Sequence, residues 1–116
     1  MPLHVWTSAR YAIALPDGHR FPMPKYARLR DRVLAAGLVR PEHVHDPGRA
    51  TREELLLVHT PAYVDAVTDG TLPAAMQRRI GLPWSPAFVE RAYRVVRGTV
   101  EAARHAMDAG IAMNLA

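Results

Sequence analysis

Gly110-Ile111-Ala112-Met113-Asn114-Leu115-Ala116 follows directly on the longest helical pattern in the chain. Upstream of it, Val89, Ala92, Val96, Val100, Ala103 and Met107 recur at three- and four-residue steps, while Arg91, Arg94, Glu101 and Arg104 occupy other faces. Ser85 stands where a helix N-cap belongs and Pro86 at the first helical position, so the pattern predicts an amphipathic helix over residues 86–109. Gly110 closes that helix, and the apolar run over residues 111–115 reads as a buried strand. A helix that feeds an apolar strand is the repeating unit of a parallel sheet, so the fold class is α/β with right-handed crossovers. No loop, cap or polar tail follows the run. The expectation is therefore a sheet that continues past Ala116, with the chemistry beyond the carboxyl ends of its strands.

Working outward, residues 3–6 form a plausible first strand, and Pro16-Asp17-Gly18 signals a turn. Pro22 and Pro24 keep residues 19–24 extended. From Pro24 the period changes, with Tyr26, Leu29, Val33 and Leu34 on one helical face and Gly37 closing the helix. A second extended piece over residues 39–45 ends at Asp46-Pro47-Gly48. Thr51-Arg52-Glu53-Glu54 is a capping box, so a short helix through Leu57 follows. Val58-His59-Thr60-Pro61 breaks it, and Pro61 starts another helix carrying Tyr63, Val64 and Val67, closed by Gly70. Residues 72–80 predict one more short helix, and residues 81–86 a rigid loop.

The 116 residues make one domain at most, and 49% hydrophobic with 22% charged residues is ordinary globular usage. Without cysteine there are no disulfides and no thiolate metal sites, which suits a cytoplasmic protein. No segment approaches the roughly 20 apolar residues that cross a bilayer, and Met1-Pro2-Leu3-His4 lacks the basic region and apolar core of the secretory kind. Net charge is +4, and Lys25 is the only lysine among the fifteen basic residues. The arginines are spread out, with no run longer than Arg78-Arg79, which speaks against a dedicated nucleic-acid surface. Arginine also pairs well with carboxylates inside a fold.

Several side chains invite a chemical reading. His43-Val44-His45 places two imidazoles on one side of a strand, but two ligands rarely hold zinc, so they read as surface histidines before a turn. His59 reads as a structural histidine donating to a carbonyl. His19-Arg20-Phe21-Pro22 either lines a pocket or plugs the core with Phe21. Trp84, in Pro83-Trp84-Ser85, suits an apolar rim or the core. The seven glycines never fall in a phosphate-binding pattern, and no nucleophile elbow is present.

In order along the chain, the segments resemble the amino-terminal part of the histone deacetylase superfamily, of the bacterial type nearest class IV. The resemblance rests on residues 18–23 (GHRFPM) with Lys25-Tyr26, Ala50-Thr51 with Glu53-Glu54-Leu55, and residues 58–64 (VHTPAYV). It continues through residues 79–86 (RIGLPWSP), Gly98-Thr99-Val100, and Gly110-Ile111-Ala112 with Asn114-Leu115-Ala116. It implies a partial arginase/deacetylase fold, with about three parallel strands and flanking helices, and residues 1–116 as the amino-terminal part of a single catalytic domain.

The same resemblance implies a zinc-dependent amide hydrolase acting on acylated lysine or a small acylated amine. In that family the strand equivalent to residues 111–116 runs into Gly-Gly-x-His-His, whose histidines are the acid–base pair. Two aspartates and a histidine that bind zinc, and a carbonyl-polarising tyrosine, come later. The expectation is thus no catalytic or metal-binding residue within these 116, no zinc held by this chain alone, and no activity in isolation. By resemblance, His19, Arg20, Phe21 and Lys25 lie near the floor of the substrate channel, and Pro83, Trp84 and Ser85 near its rim. Many relatives carry a substrate-clasping aspartate at that rim, and none stands here. Arg97 is a second departure, where the family favours a small residue before Gly-Thr. A bare last strand would pair with the rest of the catalytic domain or, alone, with another copy. The rival expectation is a small basic module that binds nucleic acid or an acidic partner.

Overall fold

Local chemistry sets the helix ends. The computed structural model describes residues 2–116, and its elements run β1 (Val5–Trp6), α1 (Lys25–Ala35), β2 (Val44–His45), α2 (Arg52–Leu55), α3 (Pro61–Asp69), α4 (Ala74–Ile80), α5 (Pro86–Ala109) and β3 (Met113–Asn114). The Thr51 and Glu54 side chains satisfy each other's backbone N–H groups, as the capping box predicts. The hydroxyls of Thr60 and Ser85 accept from the N–H groups of Tyr63 and Phe88, with Pro61 and Pro86 at the first helical positions. Gly70 and Gly110 end α3 and α5 with φ of +75° and +91°, a conformation that costs glycine nothing.

The three strands form one parallel sheet in the order β2-β1-β3, with Val5 opposite Val44 and Met113, and Trp6 opposite His45 and Asn114. Each strand is shorter than the sequence pattern suggests. Residues 41–43 of the second extended piece coil into a 3₁₀ turn, and the last strand is not buried: Ile111 and Met113 are 54% and 49% exposed. The helix predicted through Leu57 ends at Leu55, and Leu57 and Val58 lie in the open.

The predicted apolar stripe of α5 is buried only near its start, at Val89. Phe88, Val89, Arg91, Tyr93, Gly98 and Ala102 are buried, whereas Val96 and Met107 are exposed. Small residues decide this, because Gly98 lets the helix sit on Asn114, which sends its amide N–H to the Val95 carbonyl and the Thr99 hydroxyl (3.0 Å each). The helix is thereby rotated so that Arg91 and Glu101 turn inward. Arg97 does not crowd the sheet: its guanidinium reaches Glu54 (2.8 Å) and Glu101 (2.9 Å) instead. The main core, Ile13, Met23, Ala50, Leu55, Val64, Phe88, Val89 and Tyr93, lies where α5 meets α2, α3 and the loops before α1. The molecule is a slab of 46 × 35 × 18 Å, and its radius of gyration of 15.5 Å exceeds the roughly 13 Å of a compact chain this long.

Candidate functional site

The carboxyl ends of β1 and β3 are sewn together by main-chain bonds. Leu115 N–H donates to Trp6 O (2.8 Å) and Ser8 N–H to Ala116 O (3.1 Å), while Thr7 N–H donates to His45 O (2.9 Å) on the other side. Ser8 is wholly buried, and its Oγ has no hydrogen-bond partner. Below it lies Arg91, 7% exposed, with one NH group on the Ser8 carbonyl (2.9 Å) and its guanidinium 4.3 Å from the Tyr26 ring centroid. An arginine so placed is held by a carbonyl and a π-face without a carboxylate partner in that contact set, which leaves net positive charge at the strand ends.

Beside Arg91 opens a groove of about 240 Å³ lined by Phe21, Met23, Tyr26, Leu82, Phe88, Ala92, Val95 and Ala116. It joins the two loops singled out in the sequence, since Phe21 comes from one and Leu82 from the other. His19 and Pro83 share a second, shallower groove of about 540 Å³ with Gln77 and Arg78. Phe21 is half-buried against the core, and His19 Nδ1 accepts from the Phe21 N–H (3.1 Å), which tightens the loop. Lys25 Nζ stands 4.7 Å above the Phe21 ring and 5.2 Å from that of Tyr26. Arg20 is exposed.

The other loop's residues face elsewhere. Ser85 Oγ is used to cap α5, and Trp84 leans on α3, its indole N–H on the Val67 carbonyl (2.8 Å) and its ring against Gly70. His59 is exposed beside Tyr63 (ring centroids 5.1 Å apart) rather than bonded inside the fold. Ser8, Arg91, Tyr26 and Met23 are not among the site residues expected from the sequence. A signal for Arg91 existed: Phe88, Arg91, Val95, Gly98 and Ala102 also follow three- and four-residue steps, and the small pair Gly98 and Ala102 marks the side that can approach a sheet.

Two carboxylates that face α5 or lie on it, Glu54 and Glu90, are engaged. Arg94, then Arg49, holds the Glu90 carboxyl below the usual range, at 2.8 and 2.9 Å. The Thr51 N–H and the Arg97 guanidinium do the same for Glu54. Among the described residues, no group of three His, Asp or Glu side chains is placed to hold a metal ion. His43 and His45 are half-buried rather than free surface histidines, because they stack with His4. The His4 and His45 nitrogens are 2.8 Å apart, whereas two nitrogens on a tetrahedral zinc with bonds of about 2.0–2.1 Å lie roughly 3.3 Å apart. These residues do not fit a zinc ion. No helix among the described residues is long and apolar enough to cross a membrane.

Residues 19–116 match the family described as the histone deacetylase domain. An uncharacterized protein from Picosynechococcus sp. is 45% identical over 106 residues, covering 91% of this chain and 35% of that protein. The crystal structure of an HDAC homolog from Aquifex aeolicus superposes with a TM-score of 0.75 at 19% identity, over 98% of this chain and 33% of the other. The chain thus spans about a third of the length of each of these proteins. The likeness to the Aquifex aeolicus structure establishes the arginase/deacetylase fold for these three parallel strands and their helices. With most of its length matching the family, the chain belongs to the histone deacetylase domain family.

Proposed function

We propose that this chain is the amino-terminal scaffold of one zinc-dependent deacetylase catalytic domain, hydrolysing acylated lysine or a small acylated amine, and that it is inactive by itself. The observation that carries this reading is the pinning of Ala116 to the carboxyl end of β1 through the Ser8 N–H, beside the groove of Phe21, Leu82 and Arg91. A segment continuing from Ala116 would start at the end of the parallel strands, where α/β enzymes bind their ligands. The role of these residues is to position that segment and to shape the floor of the channel. Zinc, when bound by residues outside this chain, supplies a polarised carbonyl and an activated water.

The exposed Leu57 (85%), Val58 (82%) and Met107 (87%) and the thin slab shape support a larger domain packed on this one. The ion pairs of Arg10, Arg49, Arg52, Arg94 and Arg97 with carboxylates take up part of the positive charge on which the rival nucleic-acid reading depends. The test compares the 116-residue chain with a longer protein that extends past Ala116, measuring zinc content and release of acetate from acetyl-lysine peptides and acetylated polyamines. The longer protein is expected to bind zinc and hydrolyse one of these classes, and the short chain to do neither. Zinc-dependent hydrolysis by the short chain, or a folded longer protein without amide hydrolysis, overturns the proposal.

A further inference from the structure

Four of the six histidines meet on one face of the sheet, against the last turns of α5. His4 lies just ahead of β1, His43 closes the 3₁₀ turn, His45 is in β2, and His105 comes from α5. The His4 ring is the centre of the stack, with centroids 4.0 Å from His43, 4.2 Å from His105 and 5.1 Å from His45. Trp6 adds a fifth ring, 4.7 Å from His45 and 5.6 Å from His105. His4 Nδ1 and His45 Nε2 are 2.8 Å apart, a contact satisfied by one proton between two neutral rings. His105 Nε2 is sealed from solvent with no partner.

This assembly has little to neutralise added charge. The carboxylate facing it from α5 is Glu101, and each of its oxygens is already engaged. Oε2 accepts from the Trp6 indole (2.8 Å), and Oε1 accepts from Gly48 N–H (3.1 Å) and Arg97 Nε (2.9 Å). Arg97 itself adds positive charge from the same helix. On the β2 side, Asp46 turns away to Arg10 (3.1 Å). Two imidazolium rings at these separations, half-buried, repel strongly. The stack adds ring contacts at an edge where β2 is an outer strand paired with β1 at two positions, Val44 and His45.

We propose that the imidazole stack is an acid-released latch: neutral, it clamps β2 and the last turns of α5 onto β1, and protonation of a second ring lets that corner open while α2 and α3 stay folded. Burial first, then the neighbouring imidazoles, lower the pKa of both His4 and His45 below the ordinary 6.5, with Glu101 partly offsetting this at His45. The open form therefore binds protons at higher pH than the closed one. Closure is at full strength above pH 6.5 and weakens as the pH falls from there through the lowered values.

Hydrogen exchange followed by mass spectrometry, corrected for intrinsic rates and run at about pH 7.5 and about pH 5.5, reads the latch directly. Amides of β1, β2 and the end of α5 are expected to lose roughly tenfold or more of their protection at the lower pH, while those of α2 and α3 keep theirs. His43→Phe and His105→Phe keep a ring in each place but remove an imidazole from beside His4 and His45, and should blunt that loss. Imidazole NMR of the unsubstituted protein gives a reading that needs no variant: His4 and His45 should protonate below pH 6.5, and the Trp6 indole signal should move with them. Titration of both at or above that value overturns the proposal, as does protection lost evenly across the chain. Tightening of the same amides by zinc at neutral pH would mark a metal site and also overturn it.

Discussion

Gly98→Ala tests whether a close helix–sheet contact, rather than helix propensity, decides stability at the centre of α5. A methyl group there would lie 3.0 Å from both Nδ2 and Oδ1 of Asn114 and 3.2 Å from its Cγ. Asn114 is anchored by three bonds of 3.0 Å, donating to Val95 O and Thr99 Oγ1 and accepting from Ala116 N–H. Moving the amide aside weakens all three, each worth about 0.5–1.5 kcal/mol. Against this, alanine in place of glycine inside a helix gains about 1 kcal/mol. The contact should win, for a net loss of about 1–2 kcal/mol. With a urea slope of about 1–3 kcal/mol/M, the unfolding midpoint by circular dichroism should fall by roughly 0.5–1 M. Asn114→Ala removes the obstacle, so in that background the same glycine substitution should raise the midpoint. A single Gly98→Ala variant stabilised as an isolated helix would be, or an equal effect in both backgrounds, refutes the reasoning.

Gly70→Ala should cost about 2–3 kcal/mol, because a side chain at φ +75° is strained and its Cβ would lie 2.7 Å from the Trp84 ring, dislodging the indole from Val67 O. Gly81→Ala, at φ +80° with open space around it, should cost only the strain of about 1 kcal/mol, and Trp84 fluorescence should change in the first variant alone. The Glu54 carboxyl is held below its ordinary 4.5 by the Thr51 N–H and Arg97, so the stability it contributes is present above pH 4.5 and lost as the pH falls through the lowered value. Glu54→Gln should flatten that acid limb of a stability-versus-pH curve, and an unchanged limb would count against the Thr51–Glu54–Arg97 contact set.

How much could be read from the sequence follows from the range of each interaction. Thr51 with Glu54, Pro61, Ser85 with Pro86, and the glycines after α3 and α5 act within one helical turn, so the ends they define are where the pattern predicts. The six ordered motifs likewise made the family legible, because a family is a matter of residues in order. The candidate site was legible only in part. Phe21 and Leu82 do meet, but whether His19, Arg20, Lys25 and the loop at Pro83 touch substrate belongs to the proposal, and Trp84 and Ser85 turn to α3 and α5.

The sequence by itself determined the α/β class, the capped starts of α2, α3 and α5 and the family, since periodicity, caps and motif order are properties of neighbouring residues. Only the tertiary structure decided which face of α5 is buried. Two stripes on that helix share the same period, and the tight seat of Gly98 on Asn114 selects the one containing Arg91. Only the tertiary structure, too, brings together His4, His43, His45 and His105, which are up to a hundred residues apart in the chain and adjacent through strand register and the antiparallel return of α5. Long-range packing chooses among locally equivalent options, and local patterns carry no record of that choice.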